Sequence, residues 1–191
     1  MKYPPKASSV SADGVADGFE PPTAWRVDVE RDGRTRLALS CEPERLEALY
    51  LELADLLEGP IGVMYIQLTD RRAGQHHQGK PRRFVGVERP AARVRATLRR
   101  CAALLVHDGR HQLWLRGKYG EQVVLDEMGM IYLYPDDPLF RDRLDTLGIP
   151  RIDGLKSMAE RDYVRVEMHA ALDPEEEVLL RELSLQLVED P

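Results

Sequence analysis

The chain has 191 residues, of which 43% are hydrophobic and 31% charged, a composition typical of a folded domain with a core of its own. It contains no run of eighteen or more apolar residues, so we predict no membrane-spanning segment and no membrane partner. The formal net charge is −6, but residues 71–118 carry +11, whereas residues 1–70 carry −6 and residues 119–191 carry −11. Segregated charge of this kind indicates either a charged partner or attraction between parts of the fold.

The amino-terminal residues 1–23 show no hydrophobic period and are rich in Pro, Ser, Gly, Ala and Asp. A segment of that composition buries too little apolar surface to offset the entropy that it loses on ordering. We therefore predict a flexible tail over residues 1–23 and a single globular domain over residues 24–191.

A hairpin, a helix and a buried strand are predicted next. Apolar and polar residues alternate over 25–30 and again over 37–41, with an Asp-Gly turn sequence between them. Leucines recur at helical spacing over 43–57, which predicts a helix with one stripe facing the core. Residues 61–68 are almost continuously apolar, which is typical of a central strand covered on both faces.

The middle of the chain combines a basic loop, a long helix and three strands. Residues 70–83 interrupt all periodicity with polar and basic side chains. A short strand near 84–87 precedes a helix that we predict from residue 90 to about residue 106. Three strand-like segments follow, at 112–116, 122–126 and 130–134. Their links are so short that only antiparallel neighbours are possible, which predicts a meander.

The last third of the chain completes the predicted fold. A short helix begins after Asp137, a strand covers 164–168, and a final helix with a capping-box start runs from residue 173 to about residue 188. This order of elements predicts an α+β fold. We expect one domain with a mainly antiparallel sheet of about six to eight strands and about four helices packed on it.

The two cysteines, Cys41 and Cys101, lie far apart in the sequence and each has apolar neighbours. We predict that both are reduced, buried thiols rather than a disulfide. The first residues lack the apolar stretch of a secretory signal, and the composition suits a bacterial protein. The expected location is therefore the cytoplasm.

The helix over 90–106 carries the strongest charge pattern. Its apolar residues cluster around Val94, and its arginines lie on the opposite side: Arg89, Arg93, Arg95, Arg99 and Arg100. Basic residues of the preceding segment extend this patch: Arg71, Arg72, Lys80, Arg82 and Arg83. Because like charges four residues apart repel each other, a compensating anion is expected. Acids of the first helix, such as Glu44, or of the last helix, such as Glu182, could supply it, as could an external partner.

Titratable side chains near predicted turns form a second candidate site. They are His76, His77, His107, Asp108, His111, Asp126 and Asp136. A histidine beside a carboxylate is able to act as a general base, and the arginines could hold a phosphate. The histidines lack the ligand spacing of a zinc site, and no nucleotide-binding or nucleophile motif occurs, so we predict no metal and no cofactor.

The last predicted helix carries two apolar stripes. One contains Leu179, Leu180, Leu183 and Leu187, and the other contains Val178 and Leu185, which lie seven positions apart. Either another element of the fold covers the second stripe, or it forms a homodimer contact.

Together, the charge pattern and the absence of enzyme motifs predict a non-catalytic binding protein of the immunity, adaptor or regulatory kind. Its partner would be an anionic macromolecule, held by the basic loop and the arginine face. A protein partner is favoured over nucleic acid, because aromatic residues are scarce between the arginines and the whole chain is acidic. The alternative is a hydrolase, including one that acts on nucleic acid, that uses the histidines and carboxylates named above.

Overall fold

The computed structural model describes residues 3–69, 81–166 and 170–188. Its strands, in chain order, are β1 (Ala7–Ser9), β2 (Ala24–Val29), β3 (Thr35–Ser40), β4 (Pro60–Gln67), β5 (Arg82–Val85), β6 (Arg89–Pro90), β7 (His111–Arg116), β8 (Gln122–Leu125), β9 (Ile131–Tyr134), β10 (Tyr163–Arg165) and β11 (Gln186–Val188). Nine of these strands form one antiparallel sheet, in the order β11-β5-β4-β7-β8-β9-β3-β2, with β6 paired to the start of β4. The other two, β1 and β10, form a small separate sheet.

Helices cover one face of the large sheet. Within the described segments they are α1 (Pro43–Ala54), α2 (Ala91–Arg100), α3 (Ala102–His107), α4 (Pro138–Thr146) and α5 (Asp173–Glu182). All five contribute buried side chains to one core, which they share with the sheet. The predicted α+β fold is therefore confirmed as one compact domain with a mainly antiparallel sheet. Over the ranges that the structure describes, no helix combines the length and the apolar character needed to cross a membrane.

Elements with strong local signals lie where they were predicted. The β2–β3 hairpin turns at Gly33, whose φ of 83° suits glycine. Strands β7, β8 and β9 pair in sequence as the predicted meander. Helix α4 begins after Asp137, whose side chain accepts a hydrogen bond from the Leu139 N–H at 2.8 Å.

Strand β4 differs from its prediction. Its residues alternate between buried and half-buried side chains, so only one of its faces is fully covered. The buried face carries Ile61, Val63 and Tyr65 and packs under the helices. The other face carries Met64 and Ile66, which are half-buried. Because these side chains are apolar, the sequence predicted a strand that is covered on both faces.

The helix predicted over 90–106 is two helices that meet at Cys101, where φ is −104° and ψ is 22°. The break allows α3 to differ from α2 in direction. Helix α3 buries three successive residues: Leu104, Leu105 and Val106. The backbone N–H of Leu104, at the start of α3, donates to a carboxylate oxygen of Glu175 at 2.9 Å. The break between α2 and α3 leaves this backbone N–H without a helical acceptor, and a carboxylate of α5, which is far away in the sequence, accepts its hydrogen bond instead.

The final helix ends earlier than predicted, at Glu182. The chain turns at Ser184, which has a φ of 53°, and residues Gln186–Val188 pair with β5 as an edge strand. Leu185 lies in the core, and Val178 packs against that core. Val178 and Leu185 therefore form no exposed helical stripe, and the reason for expecting a homodimer through them is removed.

The amino-terminal segment, predicted as a flexible tail, includes one short strand among the residues that the structure describes. Strand β1 pairs with β10, and Lys6 is only 1% exposed. The Lys6 carbonyl accepts a hydrogen bond from the Val166 N–H at 2.7 Å. Backbone pairing and one buried lysine connect residues 6–9 to the fold. Neither contact requires a periodic hydrophobic pattern, so the sequence did not predict them.

Both cysteines are free and buried, as predicted. Burial raises the pKa of the Cys41 thiol to about 11 and that of Cys101 to about 12. Both thiols are therefore protonated at neutral pH, which makes them poor nucleophiles.

Candidate functional site

The arginine face of the predicted helix has acceptors within the fold. Asp55, at the end of α1, pairs with Arg99 at 2.5 Å and with Arg95 at 3.2 Å. Glu182, at the end of α5, pairs with Arg100. These carboxylates come from two elements that flank α2, so they neutralise charges that the sequence alone presents as unpaired.

Three arginines of this helix region donate hydrogen bonds to backbone carbonyls. Arg95 also donates to the carbonyl oxygens of Asp55 and Leu57, both at 2.8 Å. Arg93 donates to the Glu182 carbonyl at 2.9 Å, and Arg89 donates to the Leu183 carbonyl at 3.5 Å. The arginine face thus joins α2 to the ends of α1 and α5, and its role in partner binding stays a prediction.

The other predicted contact residues divide into two groups. Arg71, Arg72, Lys80, His76 and His77 lie outside the described residues. Arg82 and Arg83 lie on β5, next to the carboxyl-terminal edge strand. Arg82 donates to the side-chain oxygen of Gln67 at 2.9 Å, whereas Arg83 has an exposed side chain.

Replacing Arg95 tests whether this face is an internal anchor. We expect Arg95→Ala to lower the free energy of unfolding by about 1.5–3 kcal/mol, because hydrogen bonds from a charged donor contribute about that much. Arg99→Ala should cost at most about 1 kcal/mol, because its ion pair is exposed to solvent. Urea unfolding followed by circular dichroism measures both. Equal, small losses would mean that the Arg95 guanidinium does not hold α1.

Of the predicted catalytic residues, Asp108, His111 and Asp126 come together around the buried ammonium of Lys6. Desolvation lowers the Lys6 pKa to about 8, although Asp126, Asp108 and Glu127 oppose this shift. Desolvation raises the pKa of Asp126 to about 7, and one oxygen of this carboxylate accepts the Met130 N–H at 2.8 Å. Both groups therefore change protonation close to neutral pH.

His111 is fully buried, with its ring stacked on Tyr65 at a centroid distance of 5.0 Å. Neither ring nitrogen has a hydrogen-bond partner, and burial lowers its pKa well below the ordinary value. A general base has to reach the proton that it removes, so this position does not suit His111 to that role. The other two candidates lie apart from it: His107 contacts the Pro4 carbonyl at 2.9 Å, and Asp136 binds Arg141 at 2.6 Å.

A buried ionic network surrounds Arg110, which the sequence analysis did not single out. Its guanidinium contacts Asp108 and Asp173 at 2.7 Å each, and Glu176 at 3.5 Å. Glu176 also accepts a hydrogen bond from the Tyr65 hydroxyl at 2.5 Å. Tyr65 lies on β4, Asp173 and Glu176 lie on α5, and Asp108 and Arg110 lie in the link between α3 and β7. The network therefore ties the last helix to the sheet.

The second face of the sheet carries a row of neighbouring side chains on four adjacent strands. Cα pairing places Met64 opposite Trp114, Trp114 opposite Val124, and Val124 opposite Tyr132. We call this surface the open face, because all five described helices contribute to the core on the opposite side. The alternation of Trp114 and Tyr132 with buried leucines was visible in the sequence, but strand order was needed to align them.

The open face contains a hollow of about 280 Å³, which we call the aromatic hollow. Trp114 stacks on Tyr134 with ring centroids 6.3 Å apart and an interplanar angle of 18°. The Arg36 guanidinium lies 4.0 Å from the centroid of the Tyr132 ring and donates to the Tyr134 hydroxyl at 2.7 Å. A second hollow, of about 470 Å³, shares Glu30, Trp114 and Tyr134 with the first, so the stacked rings separate the two.

Three carboxylates line the aromatic hollow: Glu30, Asp126 and Glu127. Arg36 is the basic residue in its lining, and it pairs with Glu30 at 3.3 Å and with Asp28 at 3.6 Å. Glu127 instead accepts a hydrogen bond from the Gln112 amide at 2.7 Å. The hollow therefore combines aromatic rings with a surplus of negative charge.

No protein-family model, no curated protein and no solved structure matches this chain. Within the described ranges, no group of three or more His, Cys, Asp and Glu side chains is placed to hold a metal ion. The fold and the open face therefore have to be interpreted from their own geometry.

Proposed function

We propose that this chain is a non-catalytic binding protein that recognises a protein partner through the open face of its sheet. The observation that carries the proposal is the accessible part of Met64 and Trp114, which begin a cross-strand row beside the aromatic hollow. The row continues through Val124 and Tyr132, which are buried. Because neighbouring strands lie about 4.8 Å apart, four strands make a patch about 14 Å wide.

The residue types on this face support a protein partner. Trp, Tyr, Met and Arg are enriched in the cores of protein interfaces, and the first two also dominate their binding energy. Trp114 and Met64 are half-buried, so part of each side chain remains accessible. Ala38, Val124, Met130 and Tyr132 form a buried cluster against which Trp114 and Tyr134 pack, and this packing holds the rings in place before a partner binds.

The charge of the open face favours a different partner from the one predicted from the sequence. A polyanion such as nucleic acid binds where lysines and arginines collect. Here Arg36 is already paired, and Glu127 faces the same hollow. This surface therefore supports a neutral or basic protein partner rather than an anionic one.

Replacing Trp114 tests the proposal. Immobilised wild-type protein should retain a defined partner from a lysate of the source organism, which mass spectrometry then identifies. We expect Trp114→Ala to weaken binding of the purified partner at least tenfold in calorimetry, because interface tryptophans contribute more than about 1.4 kcal/mol, which is tenfold. Tyr119→Ala is the matched control, because Tyr119 is 72% exposed and lines neither hollow.

A second variant distinguishes loss of partner binding from loss of folding. Met64→Lys leaves Trp114 in place but adds a charge to the row, and it should abolish binding while circular dichroism stays unchanged. Binding that survives both substitutions would contradict the proposal. Binding lost only on Arg99→Glu or Arg100→Glu would place the partner on the arginine face instead.

A further inference from the structure

Glu127 differs from Glu30 in the aromatic hollow in that its hydrogen-bond partners are neutral, although it lies near enough to Lys6 to act on the pKa of that ammonium. Its carboxylate contacts the Gln112 amide at 2.7 Å and the Tyr163 hydroxyl at 3.4 Å, both neutral groups. Among the residues that the structure describes, no basic side chain forms an ion pair with it. The nearby ammonium of Lys6 is fully buried and makes no hydrogen bond.

The other acids of the hollow are already engaged. Glu30 accepts from the Arg36 guanidinium and from the Tyr134 hydroxyl, the latter at 2.9 Å. One oxygen of Asp126 accepts the backbone N–H groups of Met128 and Met130, both at 2.8 Å. Both oxygens of Glu127 also accept hydrogen bonds, but Glu127 is half-buried, whereas Asp126 is buried and Glu30 is paired with Arg36. Glu127 is therefore the accessible carboxylate of this hollow that has no ion pair among the described residues.

An indole ring lies in the same hollow. The Trp114 N–H donates to the side-chain oxygen of Gln112 at 3.4 Å, while the amide nitrogen of Gln112 donates to Glu127. Gln112 thus links the ring and the carboxylate and fixes their relative position. The Gln112 link meets the edge of the indole, and one face of the ring is stacked on Tyr134. A cation over the other face would contact the strongest ring for cation–π interactions, with the Glu127 carboxylate beyond the ring edge.

We infer that the partner inserts a lysine or arginine side chain into the aromatic hollow, with its cation against Trp114 and paired with Glu127. This inference rests on the proposed function and specifies its partner as a protein with an exposed basic segment. Charge complementarity supports this occupant, because Glu30 and Glu127 outnumber the one guanidinium of the lining even when Asp126 keeps its proton. A neutral saccharide, which also stacks on tryptophan, would not need the surplus charge.

Peptide titration tests the inference. The probe is a capped hexa-arginine peptide, and the control is the same peptide with neutral citrulline at every position. We expect the wild-type protein to bind the arginine peptide at least tenfold more tightly than the citrulline peptide in calorimetry. The Trp114 indole N–H signal should shift in the nuclear magnetic resonance spectrum when the arginine peptide is added.

Two variants that change the net charge of the protein equally test whether peptide binding depends on Glu127 in particular. Glu127→Gln should weaken binding of the arginine peptide about tenfold, whereas Glu47→Gln, at an exposed position on α1, should leave it unchanged. Equal losses in both variants would show non-specific charge attraction and overturn the inference. Equal affinity for both peptides, or tighter binding of a neutral oligosaccharide, would also overturn it.

The natural partner separates this inference from the proposed function. If partner binding depends on Trp114 but not on Glu127, the open face remains the binding surface and the cationic contact is wrong. If partner binding depends on neither residue, the proposed function itself fails.

Discussion

Replacing Arg110 by methionine should lower the free energy of unfolding by about 3–5 kcal/mol, because removing one partner of a buried ionic network leaves the others uncompensated. Arg110 is 1% exposed, and the carboxylates of Asp108 and Glu176 are fully buried. Burial alone would lower the Arg110 pKa, but the Asp108 and Asp173 carboxylates outweigh it and raise the pKa above its ordinary value. Methionine fills a similar volume but supplies no charge, so urea unfolding reports the lost network.

Arg116→Met is the matched control, because Arg116 lies at the end of β7, the strand that follows Arg110, and its side chain is exposed. It should change the free energy of unfolding by no more than about 0.5 kcal/mol. Arg110→Lys should fall between the two variants, because an ammonium keeps the charge but lacks the planar fork that reaches two carboxylates. A loss below about 1 kcal/mol in Arg110→Met would show that the network does not hold α5 on the sheet.

Asp126 should make the protein less stable as the pH rises from about 4 to about 7. Its pKa is raised from 3.8 to about 7 by burial, so the folded state keeps a proton that the unfolded state releases in this range. The free energy of unfolding should therefore fall by up to about 1.4 kcal/mol per pH unit from this group. Asp126→Asn removes the titration and preserves an oxygen acceptor, so its stability relative to wild type should rise with pH.

The difference between variant and wild type isolates this group from others that titrate nearby. His111, whose pKa burial lowers, acts in the opposite direction, since its stabilising contribution is lost as the pH falls below about 6.5. Lys6 changes protonation near pH 8, above this range. Asp142→Asn, at an exposed position on α4, should give a flat difference curve. A flat curve for Asp126→Asn would mean that its carboxyl ionises as in water.

Local patterns predicted most of the elements, because their causes lie within a few residues. The Asp-Gly turn of the β2–β3 hairpin, the links of the β7–β9 meander and the Asp137 cap of α4 each act over a short span. They were therefore visible in the sequence. The end of α5 was not, because the chain leaves the helix to pair with β5, a strand about a hundred residues away in the sequence.

The candidate site shows the same division. Segregated charge predicted that arginines would need anions, but it could not tell that Asp55 and Glu182 lie beside α2. The sequence also placed Asp108, His111 and Asp126 on one list of reactive groups. Burial, which depends on all the packed elements together, determines that His111 has no access to a substrate.

The sequence by itself determined the α+β class, the meander and the alternation that places Trp114 and Tyr132 on one face of their strands. Period and turn chemistry are local, so they can be read along the chain. Only the tertiary structure decided that these rings become neighbours, that Glu127 lies beside them and that the helix arginines are satisfied internally. Strand order and the packing of α1 and α5 on α2 join residues far apart in sequence, and no local pattern records those contacts.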